Sequence, residues 1–262
     1  MPSSPLYKGE IVIDDDFPDS KIEEISRNMP KGLNKGFGAN YGNRGLTALP
    51  KKWLIPRNEW QPRIEEIHAR KMLLSDRIRK AGVKMKNQAS LNYCWVFAVV
   101  HSYEINRLSA NMPYKSYSPV SVGGPIKGWA NVGGWGSEAI QRMGQEGVNE
   151  TADWPDTALD KRYYTAANRE KALENRVTEW FECEPRNIDE HISLLLHLRS
   201  AAAGRSWWAH EITDVDAVWV NGAIGVRYRN QWLGFGDDGF AILQGNRMLA
   251  DDLVSPQVSM AV

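Results

Sequence analysis

Apolar positions along this chain change period part-way through, and the change divides the fold. Between 59 and 80, Ile64, Ile67, Leu74 and Ile78 fall in one stripe at helical spacing, with Arg63, Arg70 and Arg77 beside it. That pattern predicts an amphipathic helix; Pro62 is tolerable only in its first turn, and Ala81-Gly82 ends it. Lys71 lies inside the stripe and Leu73 outside it, so the pattern is imperfect. Residues 93–109 are mostly apolar at first, the mark of a buried helix. Gly and Pro crowd 119–136 and predict loops close to a groove. Ser137 is expected to cap a short helix through 145, stopped by Gly147. Asn187 is expected to cap another reaching 200, with Asp189 and Glu190 in its first turn. Beyond this point the period shortens. Residues 212–220 and 223–228 flank Asn221-Gly222, the strongest short hairpin signal, and 240–244 predict a further strand. Helices first and antiparallel strands second make an α+β plan with a cleft between the two parts.

Residues 1–50 read differently, as an extended N-terminal arm. Acids cluster at Asp14-Asp15-Asp16, and the Gly/Asn-rich stretch 32–43 carries only scattered apolar side chains. Such a segment cannot offset its own ordering entropy unaided, so its own globular body or neighbouring subunits must grip it. No maturation cut is expected to have removed it. The expected division is an arm over 1–50, a linker with the amphipathic helix over 51–83, and a core over 84–262.

Composition narrows the function classes. With 262 residues, 42% hydrophobic and 24% charged, the chain can bury a substantial core. Lys+Arg and Asp+Glu balance at 32 each, so nothing global attracts nucleic acid or an anionic membrane. The apolar runs are too short to span a membrane, and the start lacks the pattern of a secretory signal. Cys94 and Cys183 are the only cysteines; if one is needed as a thiol, no disulfide framework remains. Cytoplasmic synthesis without export is the expectation.

The most informative stretch is Lys86-Asn87-Gln88 through Cys94-Trp95-Val96-Phe97-Ala98. It puts a thiol at a helix start, near the positive end of the dipole, which favours the ionised, nucleophilic form. The amide of Gln88, six residues upstream, is suited to donate to an oxygen that gains charge as a thiolate attacks a carbonyl. The alternative for a free Cys beside Trp and Phe is a small buried hydrophobe. Pairing about Asn221-Gly222 brings His210 and Asn230 together, where the Asn oxygen fixes the imidazole tautomer and Trp232 covers their hydrogen bond. Many hairpins carry His and Asn at their ends, so this pair alone is weak.

In order and detail these blocks resemble the papain-like cysteine peptidases, over roughly 84–245. Lys86-Asn87-Gln88 and Cys94-Trp95-Val96-Phe97-Ala98 look like that family's K-N-Q…C-W-A-F, with the Gln-to-Cys spacing kept. Asn131-Val132-Gly133-Gly134-Trp135 is similar to its C-N-G-G segment. Asn230-Gln231-Trp232-Leu233-Gly234 onward resembles its N-S-W-G run, shortened by about one residue. The resemblance implies a two-lobe papain-like fold with the site in the cleft. By it, Cys94 is the nucleophile, His210 the base, Asn230 the orienter, and Gln88 with the Cys94 N–H the oxyanion hole. Gly133, Gly134, Trp135 and Trp232 would line the groove for a peptide or protein substrate. No metal or organic cofactor is implied.

Departures accompany the match. Leu91 and Asn131 stand where the family usually has cysteines, which agrees with a reducing compartment. The link 201–209 looks too short for the family's usual strand and loop. Glu211 follows His210 where a small residue is usual. Asp214 and Asp216 share the strand face of His210, where they either over-stabilise an imidazolium or are solvated. Residues 1–83 do not look like the family's inhibitory propeptide. His101 is expected in the core, and His191 and His197, six apart, are not at metal-pair spacing. Cys183, between Glu182 and Glu184, is expected to be inert, and Trp207-Trp208 to pack. A structural or assembly protein on the same fold is the alternative function, for example a phage virion component whose arm grips neighbouring subunits.

Overall fold

The computed structural model describes residues 10–26 and 48–258. Strands β1 (Val12–Ile13), β2 (Glu179–Glu182), β3 (Ala201–Arg205), β4 (His210–Val220), β5 (Ala223–Arg229), β6 (Phe240–Gln244) and β7 (Asp252–Gln257) form one sheet. Their order is β1-β6-β5-β4-β3-β7-β2, and only β1, parallel to β6, departs from antiparallel pairing. The β4–β5 hairpin turns as expected at Asn221 and Gly222, with φ of 52° and 78°, the left-handed pair that its tight turn requires.

Helix α4 (Cys94–Ser109) packs across one face of this sheet. Thr213 Oγ1 on β4 donates to Ala98 O at 3.2 Å, and Asn106 Nδ2 donates to Ser200 O and Pro256 O. Helices α5 (Pro119–Ile126) and α6 (Gly136–Glu146) complete that layer around Trp95, Val96, Phe97, Ile140 and Met143. The Gly/Pro-rich stretch is therefore part helix. Gly123 is there for close packing, since a Cβ would sit 2.9 Å from the Tyr93 ring. Trp135, not Ser137, is the residue before α6, and Gly147 ends it at φ 75°.

The other face carries α2 (Trp60–Ala69) and α8 (Ile188–Leu196), with Ile55, Trp60, Ile64, Ile192, Leu195 and Ile212 in one cluster. The helix expected over 59–80 is broken. Lys71 adopts φ 54°, and α3 (Leu74–Lys80) starts afresh, its first N–H groups at Leu74 and Ser75 donating to the Asp216 carboxylate at 2.7 and 3.3 Å. That break accounts for the flawed stripe. The Asn187 cap is present, its Oδ1 accepting from Glu190 N–H at 3.2 Å, but α8 stops at Leu196 and Leu198 reverses the chain at φ 56°. The released residues form β3, so the link before His210 does hold a strand, joined by a tight turn over 206–209. Helix α7 (Ala166–Leu173), β2 and β7 were not expected from local pattern.

Residues 10–26 of the arm lie on this chain's own sheet. β1 extends its edge, and α1 (Asp19–Ser26) follows. Glu10 pairs with buried Arg227 at 3.0 Å, Asp15 accepts from Asn246 N–H at 2.9 Å, and Asp19 meets Arg247. The glycine-rich stretch 32–43 lies outside the described residues. Among the described residues no helix is long and apolar enough to cross a membrane.

Candidate active site

Cys94 is the first residue of α4, and three backbone N–H groups act to lower its thiol: its own, that of Trp95 and, most strongly, that of Glu211. The last matters most for geometry, because Glu211 directly follows His210 at the start of β4. The thiol is only 2% exposed. Burial, and then the Glu211 charge, push it up to about 12 against the pull of the three N–H groups. The helix start therefore does not leave Cys94 ionised at rest, as the sequence led us to expect; desolvation outweighs the dipole.

His210 and Asn230 meet because the hairpin pairs Thr213 with Arg229, which carries the next residue out beside the start of β4. His210 Nε2 donates to Asn230 Oδ1 at 2.9 Å, and the same oxygen accepts Gln231 N–H at 2.7 Å, which fixes the amide's orientation. That bond puts the ring proton on Nε2 and leaves Nδ1 as a free base. Trp232 stacks on the imidazole with centroids 4.1 Å apart and planes 14° apart, and Trp208 meets it edge-on at 5.2 Å. Burial takes His210 down to about 4; the Asn230 bond opposes this, and the Arg205 charge adds to it.

Neither Asp214 nor Asp216 acts on the imidazole, and neither is solvated. Asp214 accepts from Arg205 Nη2 at 2.6 Å, with His191 Nε2 3.0 Å away but not in hydrogen-bond geometry. Asp216 caps α3 and pairs with Arg227. His197, just past the end of α8, bonds Trp53 O instead, so it and His191 have separate partners. His101 joins Glu104 at 2.9 Å, and Glu104 in turn holds Lys86 at 2.9 Å. Lys86 also donates to Tyr117 O at 2.6 Å, and this buried network ties the Lys86-Asn87-Gln88 segment to α4.

Gln88 is buried, its Nε2 donating to Leu91 O at 2.8 Å and its backbone N–H to Gln231 O at 3.1 Å. It is thereby bound both to the turn leading into Cys94 and to the residue after Asn230. On the other side Asn131 Oδ1 accepts Asn92 N–H at 2.7 Å, which draws 131–135 against the same turn. Gly134 lies so close to Trp95 that a Cβ would be 2.7 Å from the indole. Lys127, which the sequence did not single out, reaches over that indole at 5.1 Å and pairs with Glu138 at 2.6 Å. Gly133 is buried, and Trp135 half-buried. Cys183 is enclosed, and its thiol is pushed up by burial and then by Glu190 and Glu184. Both cysteines are free.

Solved structures with this arrangement of helix and sheet include procathepsin L 3 of Tenebrio molitor larval midgut, at TM-score 0.59 and 12% identity over 92% of this chain and 79% of that one. Bromelain from Ananas comosus, in complex with the E64 inhibitor, matches at 0.58 and 17% over 69% and 97%. Xylellain, a cysteine protease from Xylella fastidiosa, matches at 0.53 and 18% over 67% and 83%. The fold is papain-like. In sequence, cathepsin L 2 and cathepsin L 1 of Paramecium tetraurelia are each 33% identical over 88 residues, 32% of this chain. The chain thus matches about 28% of the length of these curated relatives. No family model matches it. Within the papain-like fold, Cys94 opens the helix on one side of the junction and His210 the strand on the other. Glu211 and Arg205 beside them are the charged groups whose weight local pattern did not show; only the odd size of residue 211 signalled one of them.

Proposed function

We propose that the protein is a cysteine peptidase acting through Cys94, His210 and Asn230. The reading is carried by one observation: His210, at the start of β4, is tied through Nε2 to Asn230 under the stacked Trp232, while the N–H of the next residue, Glu211, acts to lower the Cys94 thiol. In the proposed reaction the thiol proton passes to His210 Nδ1 as sulfur attacks a peptide carbonyl carbon. The oxyanion takes hydrogen bonds from Cys94 N–H and from the second Nε2 proton of Gln88. The C–N bond breaks, the amine leaves with the proton held by His210, and a thioester remains on Cys94. Water then attacks that ester, giving its proton to His210; the C–S bond breaks, the acid departs, and His210 returns the proton to the Cys94 sulfur. Gly133, Gly134 and Trp135 would pair with the backbone of a peptide or protein substrate, and Trp232 would keep water from the His210–Asn230 bond. The chain is taken to work in a reducing cytoplasm, in keeping with two free thiols.

Iodoacetamide labelling near neutral pH, mapped by mass spectrometry, tests this. Faster alkylation of Cys94 than Cys183, lost in His210→Ala, is the expected result. Equal, slow alkylation of both would overturn it. The assembly alternative rests on an arm of which residues 10–26 are held by this chain's own sheet, and no observation favours it.

A further inference from the structure

Lys127 caps the C-terminal end of α5, and its side chain lies between Cys94-Trp95 and Gly133-Gly134-Trp135. The ammonium sits over the Trp95 ring, 5.1 Å from the centroid, and Trp95 is fully buried directly after Cys94. The stem runs against the backbone of Gly134, where a Cβ would fall 2.6 Å from Lys127 Cε and 2.7 Å from the indole. Lys127 Nζ then meets Glu138 Oε2 at 2.6 Å, and that same oxygen accepts the Trp135 N–H at 3.2 Å. One side chain thus touches the residue after Cys94, the flank of Gly134 and, through Glu138, the N–H of the next residue. The start of this segment is held separately. Asn131 Nδ2 donates to Ser90 O at 3.1 Å, and Asn92 Nδ2 donates to Asn131 O at 3.2 Å.

We propose that Lys127 is a positioning residue: with Glu138 it sets the spacing between Cys94 and the backbone of Gly133 and Gly134, along which a peptide substrate is laid out. This deepens the peptidase reading and rests on it. Ordinary surface ion pairs do little, because solvent screens them and two long side chains lose their freedom. This pair differs. The Lys127 side chain is 17% exposed, its stem is boxed between an indole and a backbone, and its charge has a ring on one side and a carboxylate on the other. The charges that chiefly act on Cys94 and His210 are Glu211 and Arg205, not this pair. Its effect therefore falls on the placing of a peptide and not on the reactivity of the thiol. A misplacement of about 1 Å costs up to about a hundredfold in rate, so slack in this spacing is felt by peptides and not by small alkylators.

The test uses the full chain and two agents with the same warhead: acetyl-Ala-Ala-Ala chloromethyl ketone, long enough to lie along Gly133-Gly134, and chloroacetone, which is not. Second-order rates of Cys94 alkylation are read by mass spectrometry. In Lys127→Met, which keeps the stem and loses the charge, the peptidyl rate should fall about tenfold while the chloroacetone rate stays within about twofold of the wild type. Glu138→Gln should fall similarly, and the double variant no further than either alone. The positioning role would be overturned, and the peptidase reading left standing, by three results with alkylation still dependent on His210. These are an unchanged peptidyl rate in both single variants, a fall shared equally by chloroacetone, or a wild-type peptidyl rate no higher than that of chloroacetone. Alkylation by both agents indifferent to His210→Ala would overturn both.

Discussion

Cys94 and His210 are moved in opposite directions by the same cause, and each is left neutral at rest. Burial disfavours the thiolate and the imidazolium alike, so in the proposed reaction charge separation comes with the attack and is stabilised as it forms. That places weight on the groups that hold the imidazole ready. Asn230→Ala removes the acceptor for Nε2–H and frees the ring to change tautomer. The expected loss is about 2 kcal/mol, or about thirtyfold in kcat/KM, with KM little changed, as steady-state kinetics on a peptide amide would show. Trp232 has a different kind of role. It is stacked on His210 and meets Trp208 edge-on, so Trp232→Ala should cost about 3–5 kcal/mol of stability in urea unfolding, whatever it does to turnover. A loss below about 1 kcal/mol would mean that the indole is a removable cover and not part of the core.

Elements whose signals are local were legible in the sequence; those defined by partners far along the chain were not. The Asn221-Gly222 hairpin needs only its own two left-handed residues, and the helix from Cys94 only its own apolar run. The break between α2 and α3 depends on Asp216, more than a hundred residues away, whose carboxylate starts the second helix. β3 reads Ala-Ala-Ala-Gly-Arg, a composition that favours helix; pairing with β4 and β7 overrides it. At the candidate site, the resemblance singled out the blocks around Cys94 and Asn230, whereas the burial of Glu211 and the Arg205–Asp214 pair needed the sheet register. Gly147 shows the same dependence. Its φ of 75° marks a turn after α6, but only the packing reveals that a Cβ would sit 1.8 Å from Ala172 O on the last turn of α7. Gly147→Ala is therefore expected to lower stability by about 3 kcal/mol or more, since backbone has to move as well as bend. A shift in thermal midpoint no larger than that of an exposed control such as Gly222→Ala would refute that reading.

For the molecule as a whole, balanced formal charge hides buried groups that pull stability in opposite directions as pH changes. His210 and His101 are both lowered by burial, so below the ordinary 6.5, and for His210 down to about 4, the unfolded chain binds protons that the folded chain refuses. Stability from these groups is complete above their ordinary range and is lost as pH falls; for His210 alone, a drop from 6.5 to about 4 corresponds to about 3 kcal/mol. Glu211 works the other way. Burial, and then Asp252, raise it well above the ordinary 4.5, so the folded chain keeps a proton there that the unfolded chain releases. Its contribution is lost as pH rises from about 4.5 and regained on acidification. Urea unfolding at pH 7 and pH 4.5 separates the two. The acid-induced loss should be smaller in His210→Gln than in the wild type, and larger in Glu211→Gln, where the compensating gain is gone. If all three chains lost stability in parallel, the carboxylate of Glu211 would have to be already ionised at neutral pH, with a cation or solvent reaching it in the resting fold.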